Sequence, residues 1–283
     1  MFTGIITALG DITHAQPLGD SAQNSAPGSG WGQRLTVSCP AGFLDDVALG
    51  DSIALNGACM TVTQFDAAAP SFQVEVSAES LSKTTGLDRS GPVNLEKALQ
   101  AQDRMGGHMV TGHVDGLGRI VALDPVGESV LMRIAVPPEL GRYMAAKGSV
   151  TVHGVSLTVN RVEDVPASDL PCHFDINLIP HTWAHTVFRF LSVGSTVHIE
   201  IDLMARYAAR LAQTDLPQVQ GDDHEPLIYR HIKTGRLYAW IAQAKNCTNG
   251  DQDGVAMAVY RSVDEDKIFT RVLDEFLTRF EPL

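Results

Sequence analysis

The sequence has no long hydrophobic run. Its apolar stretches are short and broken by glycine or polar residues, so none approaches the ~18 residues that a membrane-spanning helix needs. The first residues, MFTGIITALGDI, carry no basic leader, which argues against a signal peptide. With 44% hydrophobic and 19% charged residues in 283, the composition is that of a soluble globular protein, long enough for roughly two domains.

The sequence also lacks a cluster of positive charge. The net charge is −12, and lysine and arginine are scattered along the chain. Nucleic acids and anionic membranes both require a basic surface, so we expect neither as a partner. Cysteine is sparse, and Cys39, Cys59, Cys172 and Cys247 lie far apart with no CxxC pair. We interpret them as reduced thiols of a cytoplasmic protein, with a disulfide pair as the alternative.

No metal-binding motif stands out. His181 and His185 have the four-residue spacing of metal ligands on a helix. The segment HTWAH follows a proline in a β-like context, however, and this favours a structural or substrate-contact role over a zinc site.

What the sequence does contain is an internal repeat. NGACMTVT (56–63) recurs as HGVSLTVN (153–160) at an offset of 97 residues. Three further pairs of segments match: FTGIITALGDI with VTGHVDGLGRI, SAESLSKT with IPHTWAHT, and VNLEKAL with VHIEIDL. All four pairs occur in the same order along the two copies. The repeat predicts that residues 1–97 and 98–201 are two copies of one domain.

Each copy is predicted to be a small β structure. In the first copy, residues 1–12, 35–40 and the segments SIALNG, ACMTVTQF and SFQVEVS are short strand candidates separated by turn residues. Strands this short and closely spaced indicate a barrel or sandwich rather than βαβ units. Residues 17–33 are rich in Gly, Ser, Pro and Ala, which predicts a flexible surface loop.

A change of period follows the second copy. Residues 202–212 place Leu203, Tyr207 and Leu211 on one helical stripe, with Arg206 and Arg210 facing away. This helix could join subunits or pack back onto a barrel, and the sequence leaves both open.

The remaining chain is predicted to hold a linker and a small module. Residues 213–226 are polar and contain Pro and Gly, as linkers do. Residues 227–283 contain the strand candidates LIYRHI, LYAWIAQAK and VAMAVYR, then a helix with Val272, Phe276 and Phe280 on one face.

The repeat aligns two nucleophiles. Cys59 and Ser156 each lie two residues after a glycine, Gly57 or Gly154, which fits a turn or a close backbone approach to a flat ligand. Each also lies two residues before a threonine, so thiol or hydroxyl and threonine share one strand face. In a single copy such residues could simply fill a barrel. Their duplication favours a pair of related ligand sites.

Three polar residues are candidates for proton transfer. His108 and His113 flank the start of the second copy in GGHMVTGH, where a histidine could move protons near neutral pH or simply bond within a loop. Asp202, at a strand-to-helix junction, could orient a base, although its position favours helix capping.

The chain resembles the riboflavin synthase alpha-chain family over residues 1 to about 212. The motifs that carry the resemblance are MFTGI, NGACMTVT, GGHMVTGHVDG, KGSVTVHGVSLTVN and LIPHTWAHT. The resemblance implies an all-β fold of two homologous six-stranded Greek-key barrels and a helix that trimerises the chain. It also implies dismutation of two 6,7-dimethyl-8-ribityllumazine molecules to riboflavin and 5-amino-6-ribitylaminouracil, with no cofactor or metal. The candidate protein partners are further copies of this chain, in a homotrimer, and lumazine synthase. The alternative is a non-catalytic lumazine- or flavin-binding relative.

The resemblance also implies which residues form the site, where the first barrel of one subunit meets the second barrel of its neighbour. Catalytic roles fall to Cys59, His113, Ser156, Asp202 and Ser52. The first-barrel contacts implied are Gly4, Ile5, Ile6, Met60, Thr61, a strand of Glu75, Val76, Ser77, Ala78, Glu79 and Ser80, and Gly112 and Val114. The second-barrel contacts implied are Lys147, Leu157, Thr158, Leu178, Ile179, Pro180, His181, Thr182 and Trp183.

The sequence departs from the family pattern in places. His153 stands where the family usually has aspartate, and the TTLG turn after each site is altered. The 227–283 module is similar to a short bacterial family of unknown function.

Overall fold

A computed structural model describes residues 1–19, 32–66, 68–165, 169–215, 227–246, 254–264 and 267–283. Most of the predicted 17–33 loop, the predicted linker from residue 216 onward and Cys247 lie outside the described residues. The chain divides into two compact units, residues 1–211 and 212–283. Among the described helices, none has the length and apolar character needed to cross a membrane.

The first six strands form a closed antiparallel barrel in the order β1-β2-β5-β4-β3-β6. Their bounds are β1 Ala8–Pro17, β2 Gln33–Ser38, β3 Ser52–Leu55, β4 Ala58–Asp66, β5 Ser71–Val76 and β6 Gly91–Lys97. Alternating apolar side chains close the core, as Phe72 and Val74 of β5 do. The strand predicted for residues 1–12 begins only at Ala8, because residues 1–7 have other partners described below.

The second copy repeats this order in a seven-stranded sheet, β10-β9-β13-β7-β8-β12-β11. The strands are β7 Gly116–Val126, β8 Ser129–Val136, β9 Ser149–Val152, β10 Val155–Thr158, β11 Arg161–Asp164, β12 Cys172–Leu178 and β13 Thr196–Ile201. Strand β4 has a bulge between Val62 and Gln64, and the matching strand of the second copy is interrupted there, giving β10 and β11. The predicted fold class is confirmed, with the second barrel open at this break.

Three short helices interrupt the sheets: α1 Ala78–Lys83, α2 Pro138–Gly141 and α3 Pro180–His185, the last followed by a 3₁₀ turn at Val187–Phe190. The Ser77 hydroxyl accepts from the Ser80 amide and caps α1, while Pro180 occupies the first turn of α3. The strand predicted through Ser80 and the β-like context predicted for HTWAH are therefore wrong. The two helices occupy matching places after the fifth strand of each copy.

The helix predicted at 202–212 is α4, Leu203–Asp215. Its outward stripe is solvent-exposed, with Met204, Tyr207 and Leu211 at 61–65%. The two predicted outward arginines differ. The Arg206 guanidinium lies 2.8 Å from the Asp115 carboxylate of the second barrel, whereas Arg210 is exposed.

The C-terminal unit is a five-stranded antiparallel sheet, β17-β16-β15-β14-β18. Its elements are β14 Ile228–His231, β15 Leu237–Lys245, β16 Ala256–Ser262, β17 Ile268–Val272, α5 Leu273–Arg279 and β18 Phe280–Pro282. The three predicted strands and the helix are confirmed. Phe280 begins β18 rather than continuing the helix, and its ring stacks on Phe276 at 4.3 Å in an aromatic core.

The two barrels touch through the turns that precede β4 and β10. Asn56 and Gly57 have φ of 48° and 84°, and His153 and Gly154 have 46° and 82°, the left-handed pairs of tight hairpin turns. A Cβ built on Gly57 would lie 2.7 Å from the Cα of Gly154. The close approach predicted for these glycines is therefore real, but its partner is the other turn rather than a flat ligand.

Gly154→Ala should destabilise the chain by about 2–4 kcal/mol, since it adds left-handed strain and a Cβ 2.6 Å from the Gly57 nitrogen. Gly194→Ala is the matched control, because Gly194 also has a positive φ, 93°, but has nothing within 4 Å. The control should cost only about 1 kcal/mol. Urea unfolding measures both, and equal losses would contradict a tight contact between the turns.

Candidate active site

The repeated nucleophiles lie on the outer faces of their strands. In β4, Met60 and Val62 point into the core with 5% and 1% exposure, while Cys59 is half-buried and Thr61 is exposed. In β10, Ser156 is half-buried on the matching face. Barrel filling is thus not what these side chains do.

The N-terminal segment reaches the nucleophile of the second barrel. The Glu96 carboxylate of β6 accepts from the Thr3 amide (2.7 Å), the Thr3 hydroxyl (2.8 Å) and the Gly4 amide (3.0 Å). The Gly4 carbonyl then accepts from the Ser156 amide at 2.8 Å. One strand carboxylate of the first barrel therefore holds the segment against the second barrel.

The mirror arrangement serves the first barrel. The Glu200 carboxylate of β13 accepts from the Thr111 amide and hydroxyl, both at 2.7 Å, and from the Gly112 amide at 3.0 Å. The Gly112 carbonyl accepts from the Cys59 amide at 2.8 Å. We call residues 3–6 and 111–114 the crossed segments, because each is held by one barrel and completes the outer face of the other.

The crossed segments correct the predicted assignment of residues 4–6 to the first-barrel site. Gly4, Ile5 and Ile6 were expected beside Cys59, but Gly4 lies against Ser156 and Ile6 packs on the second core. Gly112 and Val114 do lie at the first barrel, where Val114 packs on the first core. Both glycines have positive φ, and a Cβ on Gly4 or Gly112 would stand 2.6 Å from the facing nucleophile's Cβ.

A histidine that the resemblance did not select contacts Ser156. His108 Nδ1 lies 2.7 Å from the Ser156 hydroxyl, and His108 Nε2 lies 3.2 Å from the Thr151 hydroxyl. Burial lowers the pKa of His108, while the charge of Asp202 acts in the opposite direction. This imidazole is therefore neutral near pH 7 and can accept a proton.

Asp202 takes the capping role that its position favoured, and its role towards a base stays a prediction. Its carboxylate accepts from the Met204 amide at 2.8 Å and so caps α4. It also acts electrostatically on His108, as a carboxylate that stabilises an imidazolium would.

The other two predicted catalytic residues lie beside the first barrel. His113 is exposed and follows Gly112 directly, and its amide donates to the Thr111 hydroxyl at 3.3 Å. Ser52 pairs with Thr61 between β3 and β4, on the same outer face. It lines a cavity of about 740 Å³ together with Ile5, Glu96, Lys97 and Arg104, among others.

Lys147 has a strained backbone. Its φ is 69°, and its amide bonds to the Val159 carbonyl at 2.7 Å. Gly50 occupies the matching place in the first copy, with φ of 90° and an equivalent bond to Val62. An exposed lysine in a glycine conformation is the kind of outlier that points to function.

The remaining predicted contacts lie at α1 and α3. Val76 and Leu178 are buried in the two cores, Glu75 pairs with Arg34 at 2.8 Å, and Trp183 packs on the second core. The other members form the first turns of the two helices: Ser77, Ala78, Glu79 and Ser80 in α1, and Ile179, Pro180, His181 and Thr182 in α3. The Leu157 and Thr158 side chains belong to β10 beside Ser156.

His181 and His185 do lie on one helix, with their rings stacked at 4.1 Å. Across the described ranges there is no group of three His, Cys, Asp or Glu side chains arranged for a metal ion.

Sequence reasoning missed two residues that hold the site together, Glu96 and Glu200, and it did not find the partners of His108. The two glutamates occupy matching places in VNLEKAL and VHIEIDL, so a carboxylate repeated inside a buried strand was the available signal. Both glutamates are buried, and burial raises the pKa of each carboxyl group. His108 was noted, but its partners Ser156 and Thr151 lie too far away in sequence to be read from a motif.

The two barrels present matching candidate sites on their outer faces. The family described as lumazine binding domain matches the chain twice, at residues 3–98 and 111–202, so the chain is a two-domain member of the lumazine-binding class. Relatives include riboflavin synthase of Photobacterium phosphoreum, 39% identical over 77% of this chain and 92% of that protein, and riboflavin synthase of Bacillus subtilis, 38% identical over 74% and 89%. The chain belongs to the riboflavin synthase family.

Solved structures agree on the fold. LumP complexed with riboflavin matches with a TM-score of 0.58 at 21% identity, covering 71% of this chain and 99% of LumP. LumP complexed with 6,7-dimethyl-8-(1'-D-ribityl) lumazine matches with a TM-score of 0.56 at the same identity and coverage. At this identity, the likeness shows the fold alone.

Glu96→Gln and Glu200→Gln should each lower the free energy of unfolding by about 1–3 kcal/mol, because the new NH₂ faces backbone or hydroxyl donors and leaves them unpaired. The two losses should be similar, as the contacts mirror each other. Glu128→Gln, in an exposed turn, should stay within about 0.5 kcal/mol of the parent. Denaturant titration would refute the mirrored roles if either buried variant matched Glu128→Gln.

Proposed function

We infer that this chain is a riboflavin synthase that converts two molecules of 6,7-dimethyl-8-ribityllumazine into riboflavin and 5-amino-6-ribitylaminouracil. The carrying observation is the pair of mirrored outer sites, each completed by a crossed segment. Two identical reactants call for two related sites, and the curated relatives at 38–39% identity favour the enzyme over a binding protein.

The reaction moves a four-carbon unit from one lumazine to the other. The atoms of the two substrates equal those of the two products, so the exchange needs no external oxidant or reductant. It needs two reactants held in register, removal of a proton from the acidic C7 methyl group, and a nucleophile. Holding two reactants in register supplies about 7–11 kcal/mol in well-oriented systems.

The second site would supply the base. The His108 ring lies 2.7 Å from the Ser156 hydroxyl; burial lowers the pKa of this histidine, and the charge of Asp202 opposes that effect. We assign proton abstraction to Ser156 and His108 together, with Asp202 supporting the imidazolium.

The first site would supply the nucleophile. Cys59 presents its thiol on the outer face, and the crossed segment places Gly112, the residue before His113, against it. We assign nucleophilic attack to Cys59 and proton return to His113, with Ser52 on the neighbouring strand. Lys147 and the first turns of α1 and α3 would bind the ring and the ribityl hydroxyls.

We further propose that the active site forms between subunits of a homotrimer. The exposed α4 stripe of Met204, Tyr207 and Leu211 supports a helix contact between subunits, since an isolated chain would leave it in water. The thiols of Cys39 and Cys59 are free, which supports a reducing cytoplasmic location.

Incubation of the purified chain with the lumazine should yield riboflavin, read by its fluorescence. Ser156→Ala and His108→Ala should each lower kcat by about 10²–10⁴-fold, the range of a lost general base. Ser90→Ala, in an exposed turn, is the matched control and should keep full activity. Tight lumazine binding by the parent chain without product would instead support the non-catalytic binding protein.

Cys59→Ser and Ser156→Ala chains should recover activity when mixed. In a site shared between subunits, an intact first barrel of one variant meets an intact second barrel of the other. After subunit exchange, we expect turnover about tenfold above either variant alone. In a site confined to one chain, every site would keep one defect, so absence of recovery in exchanged trimers would refute the shared site.

A further inference from the structure

Four buried polar side chains lie where the barrels meet, apart from the site described above. Asn56, Asn94, His153 and His198 are 7%, 0%, 4% and 1% exposed. They form two matched pairs of the repeat, Asn56 with His153 and Asn94 with His198. We call them the inter-barrel cluster.

Asn94 and His198 make equivalent bonds to the opposite barrel. His198 Nδ1 donates to the Asn56 carbonyl at 2.9 Å, and its Nε2 accepts from the Thr85 amide at 2.8 Å. The Asn94 amide group donates to the His153 carbonyl at 2.9 Å, and its oxygen accepts from the Val187 amide at 2.8 Å. An imidazole and an amide thus perform the same two tasks.

His153 and Asn56 are equivalent acceptors. The Asn56 side-chain oxygen accepts from the backbone N–H of Asn94 at 2.9 Å, and His153 Nδ1 accepts from the backbone N–H of His198 at 3.2 Å. The two imidazoles meet edge to face at 4.7 Å. A proton on His153 Nδ1 would face an N–H group, so the geometry requires the neutral ring.

The cluster is connected to both candidate sites. The Asn56 and His153 turns precede Cys59 and Ser156 by three residues. Thr85 and Val187 follow α1 and α3, which carry the expected substrate contacts. A displacement of either imidazole would therefore shift both nucleophile strands.

We propose that the His153–His198 pair is a positioning device of the synthase reaction, which holds the turns before Ser156 and Cys59 in one shared geometry so that each barrel presents its nucleophile correctly at the site it shares with a neighbouring subunit. The pair touches neither nucleophile and acts through the Asn56 and His153 turns. The inference rests on the proposed function for its kinetic consequence, and on the hydrogen bonds alone for its structural one.

The neutral rings predict a pH dependence. Burial lowers the pKa of both histidines; at His198 the Asn56 carbonyl and the Thr85 carbonyl, 3.0 Å from Nε2, act in the opposite direction without reversing it. Each folded ring therefore binds a proton less readily than in the unfolded chain. Their stabilising contribution is complete above about pH 6.5 and is lost as the pH falls below it. The packed elements carry charged and titratable groups as follows: Glu96 and Lys97 in β6, Glu200 in β13, Glu79 and Lys83 in α1, His181 and His185 in α3, and Arg189 in the 3₁₀ turn. Both glutamates are already bonded to the crossed segments.

Two substitutions separate positioning from bulk. His153→Asn keeps an acceptor at the Nδ1 place, as Asn56 does in the other copy, and should keep kcat within about threefold. His153→Gln mimics Nε2 and cannot reach the His198 amide. It should lower kcat about tenfold or more at little change in KM. Unfolding of His153→Asn should depend less steeply on pH between 5 and 6.5 than that of the parent chain.

Thiol labelling tests the coupling without any assay of turnover. With iodoacetamide and peptide mass spectrometry, His153→Gln should raise the labelling rate of Cys59, in the opposite barrel, about threefold or more. Cys39, half-buried in the first barrel, is the internal control and should not change. Ile134→Val, a buried second-barrel variant, controls for lost stability and should leave Cys59 as in the parent.

The outcomes are distinct. Unchanged Cys59 labelling in a folded His153→Gln chain, or equal losses of kcat in the Asn and Gln variants, would overturn the positioning role. A parent chain that makes no riboflavin while His153→Gln still exposes Cys59 would refute the synthase function and leave the coupling standing.

Discussion

The backbone contact between Gly57 and Gly154 is the constraint on which the first unit depends. The two left-handed turns can approach within van der Waals distance only because the residues in contact, Gly57 and Gly154, have no side chain. That contact sets the separation of the barrels, and Cys59 and Ser156 follow it by two residues in their strands. The distance between the nucleophiles is thereby tied to a part of the structure that cannot relax without a clash.

The crossed segments turn this contact into mutual dependence. Each buried glutamate loses its water on folding, and two amides and a hydroxyl of a crossed segment compensate for that loss. Because the segment then contacts the other barrel's nucleophile, neither barrel can complete its outer site alone. A chemistry that consumes two copies of one substrate is well served by sites that can only form together.

The repeat made most of this architecture predictable, since strand length and alternation are local properties. The helices α1 and α3 were missed because each directly follows a strand, β5 or β12, and is only six residues long, too short to show a helical period. The crossing of Gly4 to Ser156 could not be predicted, since it joins residues separated by about 150 positions through a single backbone bond. The role of Gly57 was predicted in kind, a close approach, but its partner required the structure.

The differences between the copies have a chemical direction. Cys59 aligns with Ser156 in the repeat, and His113 aligns with Ile5. Within the described residues, a histidine, the half-buried His108, bonds Ser156 but none bonds Cys59. The duplicated scaffold keeps the two candidate sites alike, because Glu96 and Glu200 hold the crossed segments through matching hydrogen bonds. The acid–base side chains can differ between the copies, because they do not take part in the hydrogen bonds that hold the backbone. The same fold can thus bind two identical molecules and still treat them differently, as a dismutation demands.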